Sequence, residues 1–177
     1  ERFLRRVHEV NEAAQDTSNW LTYLKGGDYR RWYGNLEYKV WYTNNGYDIS
    51  KEKNGSTVSS DIIPRHKATW SSVSSSRFSC RLVMVPSAYD IGSHCFFPNE
   101  VDEYVLIAFA NSKIFSQFLE LLNPTINFQI GDVARIPVMP ELLGREDIRN
   151  LGERCALISR NDWDAHENSW DFKKNDL

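Results

Sequence analysis

The chain has 177 residues, 41% of them hydrophobic, and lacks any run of roughly 18 apolar residues, so it can bury a sizeable core and no membrane span is expected. Its net charge of −3 excludes a free-standing nonspecific DNA binder, which should be basic; any DNA contact needs a local cationic patch or a partner. Cys80, Cys95 and Cys155, odd in number and without CxxC spacing, fit a reducing cytoplasm and suggest neither a disulfide framework nor a zinc site.

The chain opens on ERFLRRVHEV, without an initiator Met or the apolar segment of a signal peptide, and is expected to be a piece of a longer polypeptide. Phe3, Leu4, Val7 and Val10 share one face of an expected helix, with Arg2, Arg5, Arg6 and Glu9 on the others, giving a connecting helix within residues 1–24. Gly26-Gly27 breaks the apolar patch that follows. From Lys25 the chain is dense in aromatic and basic residues. Tyr38, Val40 and Tyr42 alternate with Lys39 and Trp41 between turn signals at Gly34-Asn35 and Asn44-Asn45-Gly46, which predicts a strand.

Arg30, Arg31, Trp32, Tyr33, Lys39 and Asn44 are candidate contacts to phosphate and base edges. Taken by themselves they fit equally a core-facing strand with solvated arginines. Asp28 with Glu37-Tyr38-Lys39 imitates the metal-holding set of many nucleases. Asp28, however, follows two glycines and does not leave a buried strand, so no catalytic or metal residue is assigned.

Residues 51–61, KEKNGSTVSSD, read as a surface loop. Beyond it lies a polar, basic stretch around Trp70. Its candidate DNA contacts are Arg65, Lys67, Thr69, Ser71, Ser74, Ser75 and Arg77, with His66 among them in sequence. Phe78, Cys80, Leu82 and Met84 then alternate as a strand, and Phe96-Phe97 after Gly92-Ser93 marks another.

The segment from Tyr104 to Pro140 predicts a helix, a break at Asn111-Ser112 with Ser112 as N-cap, and a second helix stopped by Asn123-Pro124. Phe115, Phe118, Leu119 and Leu122 share a face expected in the main core. Ile126, Phe128 and Ile130 alternate as in a strand before the Gly131-Asp132 turn. A last helix is expected over Glu141 to Arg160, and Trp163, Trp170 and Phe172 should staple the tail down. These elements predict an α+β fold: a mostly antiparallel twisted sheet, a packed helical pair and a C-terminal helical appendage, divided at 1–24, 25–140 and 141–177.

Several segments stand in one order: KGGDYRRWYGN, Arg65 to Ser71, Ser-Ser-x-Arg-Phe-Ser, Gly-Ser-His-Cys-Phe-Phe-Pro, Asn-Ser-Lys, Asn-Pro-Thr-Ile-Asn-Phe-Gln-Ile-Gly-Asp, and the closing Asp162-Trp163-Asp164 with Ser169-Trp170-Asp171-Phe172. Together they make nearly the whole chain similar to the C-terminal target-recognition region of BREX-type (phage-growth-limitation) adenine-specific DNA methyltransferases. The resemblance implies a fragment that binds double-stranded DNA in the cytoplasm and positions it for an upstream methyltransferase domain of the same polypeptide. The Asn/Asp-Pro-Pro-Tyr/Phe loop and the glycine turn for S-adenosylmethionine are missing from these residues, so no cofactor and no catalysis are expected of the fragment. A second reading is an interaction module that docks other defence-system subunits or a phage inhibitor.

Overall fold

The computed structural model describes residues 2–10, 19–65 and 67–174, with the side chain of Lys67 outside that description. Among the described residues, seven strands, β1 (Leu4–Arg6), β2 (Trp20–Leu24), β3 (Tyr38–Trp41), β4 (Lys67–Ser71), β5 (Cys80–Val83), β6 (Ser87–Tyr89) and β7 (Ser93–Phe96), form two sheets ordered β1-β3-β2-β6 and β5-β4-β7. Every pairing is antiparallel except β2 with β6. The α+β class and the mostly antiparallel strands are as expected, but the strands divide between two sheets.

The N-terminal helix is a correction. Leu4–Arg6 is a strand with Leu4 opposite Val40, and Val7–Glu9 is a single 3-10 turn that buries Val7. A short helix must find its backbone partners alone, whereas the edge of β3 supplies them ready-made. Residues 11–18 of the expected helix lie outside the described residues.

The described residues also form six α-helices: α1 (Tyr47–Ser50), α2 (Glu103–Ala110), α3 (Lys113–Leu122), α4 (Ile130–Val133), α5 (Pro140–Leu143) and α6 (Glu146–Asp164). No single described helix is long and apolar enough to cross a membrane. Asp102 caps α2 by accepting from Tyr104 N and Val105 N at 2.9 and 3.2 Å. Ser112 caps α3 by accepting from Phe115 N at 3.1 Å, at the predicted position.

α2 lies on β4 and β5 and is covered by α6. The two helices approach at Gly152, where a Cβ would stand 2.3 Å from the Tyr104 carbonyl oxygen. The main core joins Ala68, Trp70, Phe78, Cys80 and Leu82 from the β5-β4-β7 sheet and its approach to Ile107, Ala110, Phe115, Leu119, Phe128 and Ala156.

Two expectations fail around α3. Phe115 and Leu119 are buried, but Phe118 is 40% exposed and Leu122 only half-buried. The chain after Pro124 forms no strand. Asn127 makes one bridge to Val73, Phe128 alone turns inward against Phe78, and Ile130 begins α4. The last helix is likewise split, with Gly144 separating α5 from α6. Beyond α6 the tail does pack down, because Trp163 is buried with Leu24, Tyr33, Leu36 and Val83, and Trp170 lies 4.3 Å from the Lys39 Nζ.

Candidate nucleic-acid interface

The two core helices meet at an elbow bent by 60°. Its pivot, Asn111, is buried and bonds both backbone groups of Cys80: its Oδ1 accepts from Cys80 N at 3.0 Å and its Nδ2 donates to Cys80 O at 2.9 Å. A side-chain amide suits this place because it carries a donor and an acceptor side by side. The elbow is thereby tied to the start of β5. Phe78, just before that strand, stacks on Phe115 of α3 at 4.9 Å between ring centres.

The loop before β2's successor strand comes to the same spot. Trp32 has a left-handed backbone, φ 72°, which a bulky residue adopts only when its surroundings hold it. Here the Trp32 N–H donates to Cys80 O, the Trp32 carbonyl accepts from Leu82 N, both at 2.8 Å, and Ser159 of α6 donates to the Arg31 carbonyl at 3.0 Å. The exposed Arg31 side chain then reaches the Asn111 carbonyl at 2.6 Å.

A groove of about 550 Å³ runs from this elbow between α3 and two loops. One wall is α3, with Lys113, Ser116, Gln117 and Glu120; the other is Ser76-Arg77 and the turn Asn123 to Ile126. That turn is locked. The Asn123 side chain donates to the Asn127 carbonyl and Asp132 and accepts from Thr125 N and Oγ1, while Ser74 N donates to Ile126 O and Phe128 N to Ser72 O. Arg77 and Lys113 stand exposed at the groove, with Arg31 fixed at the elbow that α3 leaves.

Of the residues singled out from the sequence, Arg31, Ser74, Ser75 and Arg77 belong to this region. Ser75 is exposed, and the Ser74 hydroxyl accepts from Ser76 N. The others do not join them. Arg30 lies over the Trp163 ring at 4.9 Å and pairs with Asp162 at 3.0 Å. Trp32 packs half-buried against the main core, and Asn44 sits in the 3-10 turn after β3. Arg65 lies over Phe97 and bonds Asn99, before the opposite end of β4 from Ser74. Lys67 opens β4 opposite Val83, and its side chain lies outside the described residues, as does His66.

Tyr33, Lys39, Thr69 and Ser71, read from the sequence as candidate contacts, are buried in the folded chain and not on its surface. Tyr33 sits beside the Arg160 guanidinium, 5.7 Å from its ring centre, and burial raises its phenol pKa. Lys39 donates to Thr22 Oγ1 at 3.1 Å under the Trp170 ring, and burial lowers its ammonium pKa despite Asp171 nearby. Thr69 donates to His94 O and shares a hydrogen bond with Ser93. Ser71 donates to Gly27 O and accepts from Arg81, a guanidinium whose pKa burial brings down to about 10. The side-chain bonds of these groups run within the chain, holding its strands and loops together.

Lys39 also turns away from Asp28 and Glu37, which border a separate small groove, and among the described residues no cluster of three or more His, Cys, Asp or Glu side chains could hold a metal. Sequence reasoning missed Lys113, Gln117 and the Asn123-Thr125 turn. The signal was present as polar residues at i, i+3, i+4 and i+7, Lys113 to Glu120, in a helix otherwise rich in apolar side chains.

No family model matches the chain. It is 34% identical over 183 aligned residues, 99% of its own length, to the adenine-specific methyltransferase BrxX of Escherichia coli O9:H4 (strain HS). The same identity and coverage hold for the adenine-specific methyltransferase PglX of Lacticaseibacillus casei (strain Zhang). The chain spans about 15% of the length of each of these curated relatives. The methyltransferase resemblance carried by the ordered segments is therefore matched by a near full-length similarity to one part of such proteins.

Proposed function

We propose that this chain is the part of an adenine-specific DNA methyltransferase of phage-defence type that grips duplex DNA and selects the site, while other parts of the polypeptide bind S-adenosylmethionine and transfer the methyl group. The observation that carries this reading is the elbow groove. It brings Arg77 and Lys113 together, with Arg31 bonded to the adjoining elbow, although the chain as a whole is acidic. Cations on such a rim attract and register the phosphate backbone, and the polar side chains between them can reach base edges.

The test uses the full-length enzyme and a duplex carrying its methylation site. Each lost phosphate contact reduces the slope of log affinity against log salt by about 0.9, so Arg77→Ala with Lys113→Ala should flatten it by about 2 and weaken binding to all sequences alike. An unchanged slope and affinity in this pair and in Arg31→Ala refutes the reading. A protein-docking role is a second reading, favoured by exposed Leu151, Leu157 and Ile158 on α6. Charged substitutions there that release a protein partner and leave DNA binding intact would support it.

A further inference from the structure

We infer that α3 is the helix that reads the bases, with Gln117 choosing an A·T pair in the major groove; this rests on the DNA-binding reading above. The helix divides into three faces. Phe115 and Leu119 point into the core, and Lys113, Ser116, Gln117 and Glu120 border the groove. Between these, Ile114 and Leu121 are 52% and 82% exposed. On a well-anchored helix these exposed apolar side chains offer a surface for a partner to cover. With Gln117 they form a ridge at i, i+3 and i+7, the spacing of side chains that look outward together.

The chemistry of the ridge matches the edges of base pairs. Among the described residues, the side chains of Lys113, Gln117 and Glu120 have no hydrogen bond or ion pair within the chain, whereas those of the neighbouring Ser116, Asn123 and Thr125 are bonded internally. A free carboxamide donates and accepts at once, which is the pattern adenine presents through N7 and its N6 amino group, and thymine adds a methyl that an aliphatic side chain can cover. Gln117 takes the adenine, and Ile114 and Leu121 lie against thymine methyls on either side.

Glu120 accepts only, so it tolerates a cytosine amino group and repels a guanine edge. The ten residues of α3 measure about 15 Å, and a helix of about 10–12 Å diameter enters a major groove about 12 Å wide. One strand's backbone then follows the groove between α3 and Arg77. The Ser112 cap, Phe115, Leu119 and the Asn123 network hold the helix ready before DNA arrives.

The experiment maps methylated sites on genomic DNA with the full-length enzyme and measures binding to cognate and singly substituted duplexes. Gln117→Ala should lose discrimination at one A·T position by on the order of ten- to a hundredfold while keeping the salt slope and the affinity for random duplex. Replacing that adenine by 7-deazaadenine should weaken the wild type and leave Gln117→Ala indifferent. Leu121→Ala should relax choice at an adjacent thymine, with uracil in its place as the matching substrate. If Gln117→Ala and Leu121→Ala both keep the original site choice while Lys113→Ala still flattens the salt slope, the reading helix is overturned and the DNA grip stands. If Lys113→Ala and Arg77→Ala also change nothing, both readings fall.

Discussion

Replacing Asn111 by Ala should cost about 2–4 kcal/mol, because that one side chain is the clasp between the helical elbow and the start of β5. Its two hydrogen bonds to Cys80 are buried, and their loss is unequal. The Cys80 carbonyl keeps the Trp32 N–H at 2.8 Å. The Cys80 N–H loses its acceptor at a dry position, a penalty of about 1–3 kcal/mol, and the second bond adds about 1 kcal/mol. Urea denaturation of the chain reads this directly as a lower midpoint at unchanged slope.

Asn111→Asp separates the donor from the acceptor. A carboxylate can still accept from Cys80 N, but at neutral pH it faces the Cys80 carbonyl and cannot donate, so this variant should be at least as unstable as the alanine one. Burial and the carbonyl raise its folded-state pKa above the unfolded value of about 4, so stability regained on protonation is present below that value and is lost as pH rises through the folded pKa. An Asn111→Ala unfolding free energy within about 0.5 kcal/mol of the parent refutes the clasp.

Leu119→Ala should cost about 2–5 kcal/mol, whereas Phe118→Ala, on the partly exposed side of the same helix, should cost far less; equal losses in denaturant titrations would mean α3 is rotated from the orientation described. Tyr23 has its phenol pKa pushed up to about 12 by burial, with Asp90 adding to it. Stability from the protonated phenol is therefore complete below its ordinary pKa of 10.0 and is lost as pH climbs toward 12, so the parent should lose stability more steeply over that window than Tyr23→Phe. Parallel alkaline curves for the two proteins would refute the shift.

What the sequence could show depended on how local each feature is. The Asn111-Ser112 break, the Ser112 cap and a strand through Cys80 and Leu82 are short-range features that stand in the structure, although β5 is buried at all four positions and Met84 lies beyond it, exposed. The residues from Ile126 to Ile130 alternate just as cleanly, yet among the described residues their only bridge is Asn127 to Val73, flanked by bonds to Ser72 and Ser74, so only Phe128 turns inward. Leu4, Val7 and Val10 fit a helix period, but the neighbour that decides their shape, β3, lies about thirty residues on.

The candidate site was hardest for the same reason. Lys39 and Tyr33 look like surface cations and aromatics until Trp170 and Arg160 arrive from the far end of the chain to cover them. Arg77 and Arg31 kept their exposure because the elements that come to them, the elbow and α3, support their backbones without enclosing their charges.

The division of α3 into separate faces also bears on how such a chain can change over generations. Substitutions on the outward side, at Lys113, Ile114, Gln117, Glu120 and Leu121, touch little that folding depends on, and exposed positions of this kind usually shift stability by no more than about 0.5 kcal/mol. Phe115 and Leu119, two positions to either side of Gln117, would each carry a heavy penalty. Foldability and surface chemistry are thus inherited through different letters of the same ten-residue helix, and selection acting on one need not wait for the other.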